Sequence, residues 1–146
     1  MIELIELWQK KARPNPDADA FRIAFAVHME EFVEMMEVVG IADENLKLDP
    51  SYVAMMYWLC KVCDQLKEKK LNVVITNREK FLDSIADQIV TAVGAGYCAN
   101  MKVSEAVTAV NASNYSKMVD GAFQYDENGK VIKPPTYKKA NLEGLY

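Results

Sequence analysis

The stretch Glu30-Glu31-Phe32-Val33-Glu34, read inside residues 21–40 (FRIAFAVHMEEFVEMMEVVG), sets acids among apolar residues at helical spacing. At about 100° per residue with Glu31 at zero, Phe21, Ala24, Val27, His28, Phe32, Met35, Val38 and Val39 share its sector. Glu34 falls at about −60°, between Val27 and Ile23, while Glu30 and Glu37 come at the edge of the stripe. The pattern predicts a helix whose interior face carries the carboxylates of Glu31 and Glu34. A buried carboxylate needs a partner, and no cation of this helix is placed to serve several at once. A bound metal ion is the expected compensation.

Residues 82–99 (LDSIADQIVTAVGAGYCA) make the same argument, because Asp83 and Asp87 are their only charges. A run that is apolar or small around its whole circumference predicts a central helix. Acids four apart stand one above the other on one face. Oxygen-only donors suit Mg²⁺, with Mn²⁺ next, in preference to zinc. Hydrated Mg²⁺ on carboxylates points to phosphate chemistry.

An EExxE helix followed some tens of residues later by an acidic pair ending in Asp resembles the all-α nucleoside triphosphate pyrophosphohydrolases. That superfamily includes MazG-like enzymes, all-α dUTPases and phosphoribosyl-ATP pyrophosphohydrolase. Glu31 and Glu34 match its ExxE, Glu30 the preceding acid, and Asp87 the last residue of its ExxD. The tail, Asn111-Ala-Ser-Asn114-Tyr-Ser-Lys117, Asp126-Glu-Asn-Gly-Lys130 and Lys133-Pro-Pro-Thr-Tyr137, is similar to that of phage and bacterial members. The resemblance covers the chain from about residue 21 onward. Three positions depart from the family pattern. Ser84 stands where the second motif has an acid, with Asp83 one residue earlier, and Pro134 and Asn141 stand where glycine and aspartate are commoner.

The resemblance implies an all-α bundle of four to five helices of the MazG-like type, with a short C-terminal hairpin or arm. Residues 1–146 would form a single domain, with 117–146 as the arm. It implies Mg²⁺ held by Glu31, Glu34 and Asp87, with Glu30 or Asp83 assisting, and Glu30 or Glu31 as the base that takes a proton from water. Cleavage of a nucleoside triphosphate to monophosphate and pyrophosphate follows, in a homodimer or dimer of dimers serving nucleotide-pool control. An aromatic such as Trp58 is allowed to stack on the base.

The helices can be placed by their punctuation. Residues 2 to 12 read as a first helix, ending before Arg13-Pro14-Asn15-Pro16. Pro16 or Asp17 opens the glutamate helix, which runs to about Gly40. Asp49-Pro50 is an N-cap with a first-turn proline for a helix from 50 to about 70. Thr76-Asn-Arg-Glu79 reads as a capping box opening the aspartate helix. Ser104 is a candidate cap for a fifth helix to about Ser113. Asp126-Glu-Asn-Gly129 is a turn signal between short extended pieces.

At 146 residues one core suffices, and 51% hydrophobic residues with eight Met suit packed helices. A net charge of −4 and a pI near 5.1 argue against nucleic acid as a partner. No signal peptide or charge-free spanning run is visible, so the expectation is a cytoplasmic protein with no membrane partner.

Cys60-x-x-Cys63 has no second pair, so it reads as structural thiols, as does Cys98. His28, on the apolar stripe, reads as a core or supporting residue, and Tyr57 as core. Between residues 117 and 139 there are five lysines (117, 130, 133, 138, 139) against Asp120, Asp126 and Glu127. Lys117, Lys130 and Lys133, with Asn111 or Asn114, are the candidates for holding phosphate or sugar, and Lys138 and Lys139 read as solvated. Two other classes stay open. One is a noncatalytic helical interaction module, favoured by Ser84. The other is a carboxylate-bridged redox-metal protein, which lacks a histidine on a second helix.

Overall fold

Side-chain caps fix three of the helix starts among the described residues. The computed structural model describes residues 1–126 and 131–146. Among them are five α-helices: α1 (Ile2–Ala12), α2 (Ala18–Val39), α3 (Pro50–Lys67), α4 (Arg78–Cys98) and α5 (Val103–Tyr115). Only isolated bridges accompany them, so the described fold is all-α. Asp17 caps α2 by accepting from the Ala20 N–H at 2.7 Å, and Asp49 caps α3 by accepting from Ser51 and Tyr52. Two expected caps move. Asn77, not Thr76, accepts from the Lys80 N–H and opens α4, and α5 starts at Val103 without a side-chain cap, leaving Ser104 inside the helix. Asn77 wins because its side-chain carbonyl reaches the third residue of the first turn from an extended backbone.

The residues fall into two units, Pro16–Val74 and Met1–Asn15 with Ile75–Tyr146. In the first, α2 and α3 cap each other. The Tyr52 hydroxyl, at the start of α3, donates to the Met36 carbonyl in the last turn of α2. Arg22, near the start of α2, donates to the Leu66 carbonyl in the last turn of α3. Both carbonyls lie in a last helical turn, where backbone donors run short: Met36 accepts a long bond from the Gly40 N–H at 3.4 Å and Leu66 one from the Lys69 N–H at 3.3 Å, and the Arg22 charge suits the negative end of the α3 dipole. Ala26, Val33, Cys63 and Leu66 fill the interface, and Lys67 pairs with Glu30 outside it.

In the second unit the tail ties the helices together. Tyr125 OH donates to the Ala12 carbonyl at 2.9 Å, Tyr115 OH donates to the Leu4 carbonyl at 3.2 Å, and Phe123 meets Trp8 edge to face at 5.5 Å. Asp120 and Gly121, both at positive φ, close a tight turn between Val119 and Ala122. Gly96 lets α4 approach the start of α5, since a Cβ there would sit 2.2 Å from Val103 Cγ2. The expected turn at residues 126–129 lies, beyond Asp126, outside the described residues. Tyr125 bridges Val131 on either side of it.

Two expectations about burial fail. The buried face of α2 is Arg22, Ala26 and Val33, roughly opposite Glu31 at 100° per residue, and Glu31, Glu34 and Phe32 are exposed. The sequence offers two apolar stripes on α2, and α3 takes the one with small residues, which permits close approach. The expected central helix, α4, has no buried residue, and its close approach at Gly96 is to the start of α5. His28 and Tyr57 are exposed rather than core, and Trp58, also exposed, meets Tyr57 edge to face at 5.4 Å. Among the described residues, no helix is long and apolar enough to cross a membrane.

Candidate active site

The acids of α2 follow the turns of the helix. Glu30, Glu34 and Glu37 come round to the edge facing α3, where they line a pocket of about 220 Å³ with Asp64, Cys60 and Cys63. Glu30 is engaged by Lys67. Among the described residues no ion pair holds Glu31, Glu34, Glu37 or Asp64, all of which are exposed, so water screens the negative charge gathered there. Glu31 projects away from this pocket. Burial raises the pKa of the Cys63 thiol against the opposing charge of Lys67, with Glu30 and Asp64 adding to the rise, which keeps it a neutral packing group. All three cysteines are free.

Asp83 and Asp87 are exposed on α4, in the other unit. They share a face four residues apart, as the spacing requires. Among the described residues no three His, Cys, Asp or Glu side chains are grouped closely enough to hold a metal ion. The donor chemistry of Glu31, Glu34, Asp83 and Asp87, all carboxylate oxygens, is that of a hard divalent cation.

The tail residues do come together. Lys117 Nζ donates to Asn114 Oδ1 at 2.8 Å and lies 5.7 Å from the Trp8 ring centroid and 5.9 Å from that of Tyr137. Lys133 Nζ lies 5.2 Å from the same Tyr137 ring. Tyr137 is fixed against the end of α5, where the Ser113 hydroxyl sits 3.2 Å from its oxygen and 2.7 Å from the Lys138 carbonyl. The hydrogen bond with Ser113, and then the charges of Lys133, Lys117 and Lys139, lower the Tyr137 pKa from its ordinary value. This corner therefore favours negative charge. Asn111 is buried and, with Asn114, lines a cavity against α1. Lys130 lies outside the described residues.

The sequence-level reading named Asn111, Asn114, Lys117 and Lys133, but not Trp8, Ser113 or Tyr137 as the surfaces that orient them. Trp8 is a buried core residue of a short helix, and its contact with a lysine more than a hundred residues later leaves no trace in local spacing. Glu37 and Asp64 were missed because nothing in their spacing links α2 to α3. No family model, curated protein or solved structure matches the chain.

Proposed function

We propose that the protein is a Mg²⁺-dependent nucleoside triphosphate pyrophosphohydrolase of the all-α, MazG-like type, acting as a homodimer or dimer of dimers in nucleotide-pool control. The observation that carries this reading is the gathering of Asn114, Lys117 and Lys133 around Tyr137, because these belong to the tail motifs that resemble the family's. An acidic helix, and a separate cluster of lysine and amide groups, are the two kinds of chemistry that triphosphate cleavage requires.

Glu31, Glu34 and Asp87, with Asp83, would hold the metal. Bound there, Mg²⁺ supplies neutralisation of phosphate oxygens and a water of lowered pKa. Of the two candidate bases, Glu31 would be the one to take a proton from water, since Lys67 already engages Glu30. Lys117 and Lys133 bind phosphate oxygens as mobile point charges, and the Asn114 amide donates a hydrogen bond beside them.

Incubation with each canonical dNTP and dUTP plus Mg²⁺, followed by product separation, tests the reaction. The expected products are monophosphate and pyrophosphate. The chain has no GxxxxGK[ST] loop to grip a terminal phosphate with backbone amides. Diphosphate with orthophosphate overturns the assignment. The Glu30–Lys67 ion pair favours the second reading, a noncatalytic helical module, since it balances that carboxylate without a metal. Absence of turnover, together with absence of Mg²⁺ binding by calorimetry, is the result that module requires.

A further inference from the structure

Within the unit Met1–Asn15 and Ile75–Tyr146, a cavity of about 430 Å³ opens between α1, α5 and the last residues of the chain. Its walls are chiefly apolar, with Ile5, Val107, Val110, Leu142 and Leu145 among them, and its size is that of a small-molecule site. Lys102 N–H donates to the Leu145 carbonyl at 2.8 Å and Lys102 Nζ to the Gly144 carbonyl at 3.1 Å, so the wall formed by the chain end is tied to the start of α5.

Three features separate this cavity from a packing defect. Trp8, 8% exposed, borders it, and among the described residues its buried Nε1–H has no acceptor. Asn111, also 8% exposed, brings an amide to the apolar lining, and an amide both donates and accepts. Asn114 lines the cavity too and is hydrogen-bonded to Lys117, which itself lies over the Trp8 ring. An apolar compartment with a buried donor, a buried amide and a lysine beside it matches a flat heterocycle joined to an anion. A simple alkyl carboxylate would fill the volume and bring its charge to Lys117, but it would offer no acceptor to the Trp8 N–H, which is costly when such a group is buried, and would leave the Asn111 amide unused.

We propose that this cavity receives the base and sugar of a nucleoside phosphate, with its phosphate end at Lys117 and Lys133. The inference rests on the nucleotide reading above and extends it by giving the base a place that the sequence had assigned to Trp58. Trp58 is 65% exposed on α3, in the other unit.

Calorimetry on the full chain in EDTA tests binding apart from hydrolysis. The probes are the five deoxynucleoside 5′-monophosphates including dUMP, the matching nucleosides, and inorganic phosphate. At least one monophosphate is expected to bind ten times more tightly than its nucleoside or phosphate, and Val110→Trp, which fills the cavity from a half-exposed position, should weaken it at least tenfold. In the unsubstituted protein the Trp8 indole N–H resonance should shift on adding that monophosphate, a readout that does not depend on the variant folding. An unmoved Trp8 resonance overturns the proposal, as does unchanged monophosphate binding in folded Val110→Trp. Triphosphate turnover with an unchanged KM in Val110→Trp rejects the cavity while sparing the enzyme. Tight, Trp8-linked monophosphate binding without any turnover rejects the enzyme while sparing the cavity.

Discussion

The α2–α3 unit and the unit of α1, α4, α5 and the tail solve the same problem, helix ends whose carbonyls run short of backbone donors, in opposite ways. In Pro16–Val74 the caps are reciprocal and come from the helices themselves, with Tyr52 on Met36 and Arg22 on Leu66. In the other unit a non-helical tail supplies them, as when Tyr125 reaches the Ala12 carbonyl. The difference teaches where each unit can carry function. A pair of helices that needs no tail keeps the acids of α2 at its surface, Glu31 on the open side and Glu30, Glu34 and Glu37 along the α3 edge. A tail that already organises α1 and α5 brings its lysines and asparagines along with it.

The comparison breaks first at the acids. Glu34→Gln is expected to lower Mg²⁺-dependent turnover by about 100-fold or more while the circular dichroism spectrum stays unchanged. Asp87→Asn should approach that loss and Asp83→Asn should be milder. Undiminished turnover in Glu34→Gln at saturating Mg²⁺ removes α2 from the site, and equal losses at the two aspartates show that Asp83 substitutes fully for the acid absent at Ser84.

Arg22 tests the reciprocal caps. Its side chain is 3% exposed and also meets Asp19 at 3.2 Å. Arg22→Ala removes the buried donor from the Leu66 carbonyl, which keeps the Lys69 N–H at 3.3 Å, and opens a gap beside Ala26, at an expected cost of about 2–4 kcal/mol by denaturant titration. A loss under about 0.5 kcal/mol would show that the cap contributes only geometry.

The smallest effect is set by pH. Hydrogen bonding from Lys69 and then Arg22 lowers the Asp19 pKa, and the Ser51 hydroxyl followed by backbone N–H groups lowers that of Asp49. Because both folded values lie below 3.8, the stability they add is complete above that pH and disappears as the pH falls through the folded values. Thermal melts between pH 5 and 2 should show this acid limb, and Asp49→Asn, which keeps a good cap without the charge, should flatten it. An identical limb in the variant would assign the effect elsewhere.

Most of the helices were legible because caps and prolines act locally: Asp17, Asp49 and Pro50 stand where the chain turns into helix. Thr76 and Ser104 misled because a neighbouring residue met the first turn sooner, or because no side chain did. The stripe of α2 was misread for a different reason. Periodicity locates apolar faces but does not choose between two of them, and α3 chose the face with Ala26 and Val33. Glu31 and Glu34 thus kept their candidacy as oxygen donors but lost their place in the interior. The grouping of Lys117 with Trp8 and Tyr137 could not be read from spacing at all, since it joins opposite ends of the chain.

The link between α2 and α3 has a kinetic consequence. Asp43 Oδ1 accepts from the Asn45 and Lys47 N–H groups, the Asp43 N–H donates to the Lys47 carbonyl, and Ala42 bridges Leu48 with Leu46 in the left-handed region. A connection so internally bonded reverses the chain with little further loss of entropy, and every partner in the pair lies within about fifty residues of the other. Low sequence separation favours rapid pairing, whereas the contacts of α1 with the tail must close most of the chain. Amides of α2 and α3 should therefore gain protection before those of α1 in pulse-labelled hydrogen exchange during refolding, and simultaneous protection of both would show that the turn does not set the order.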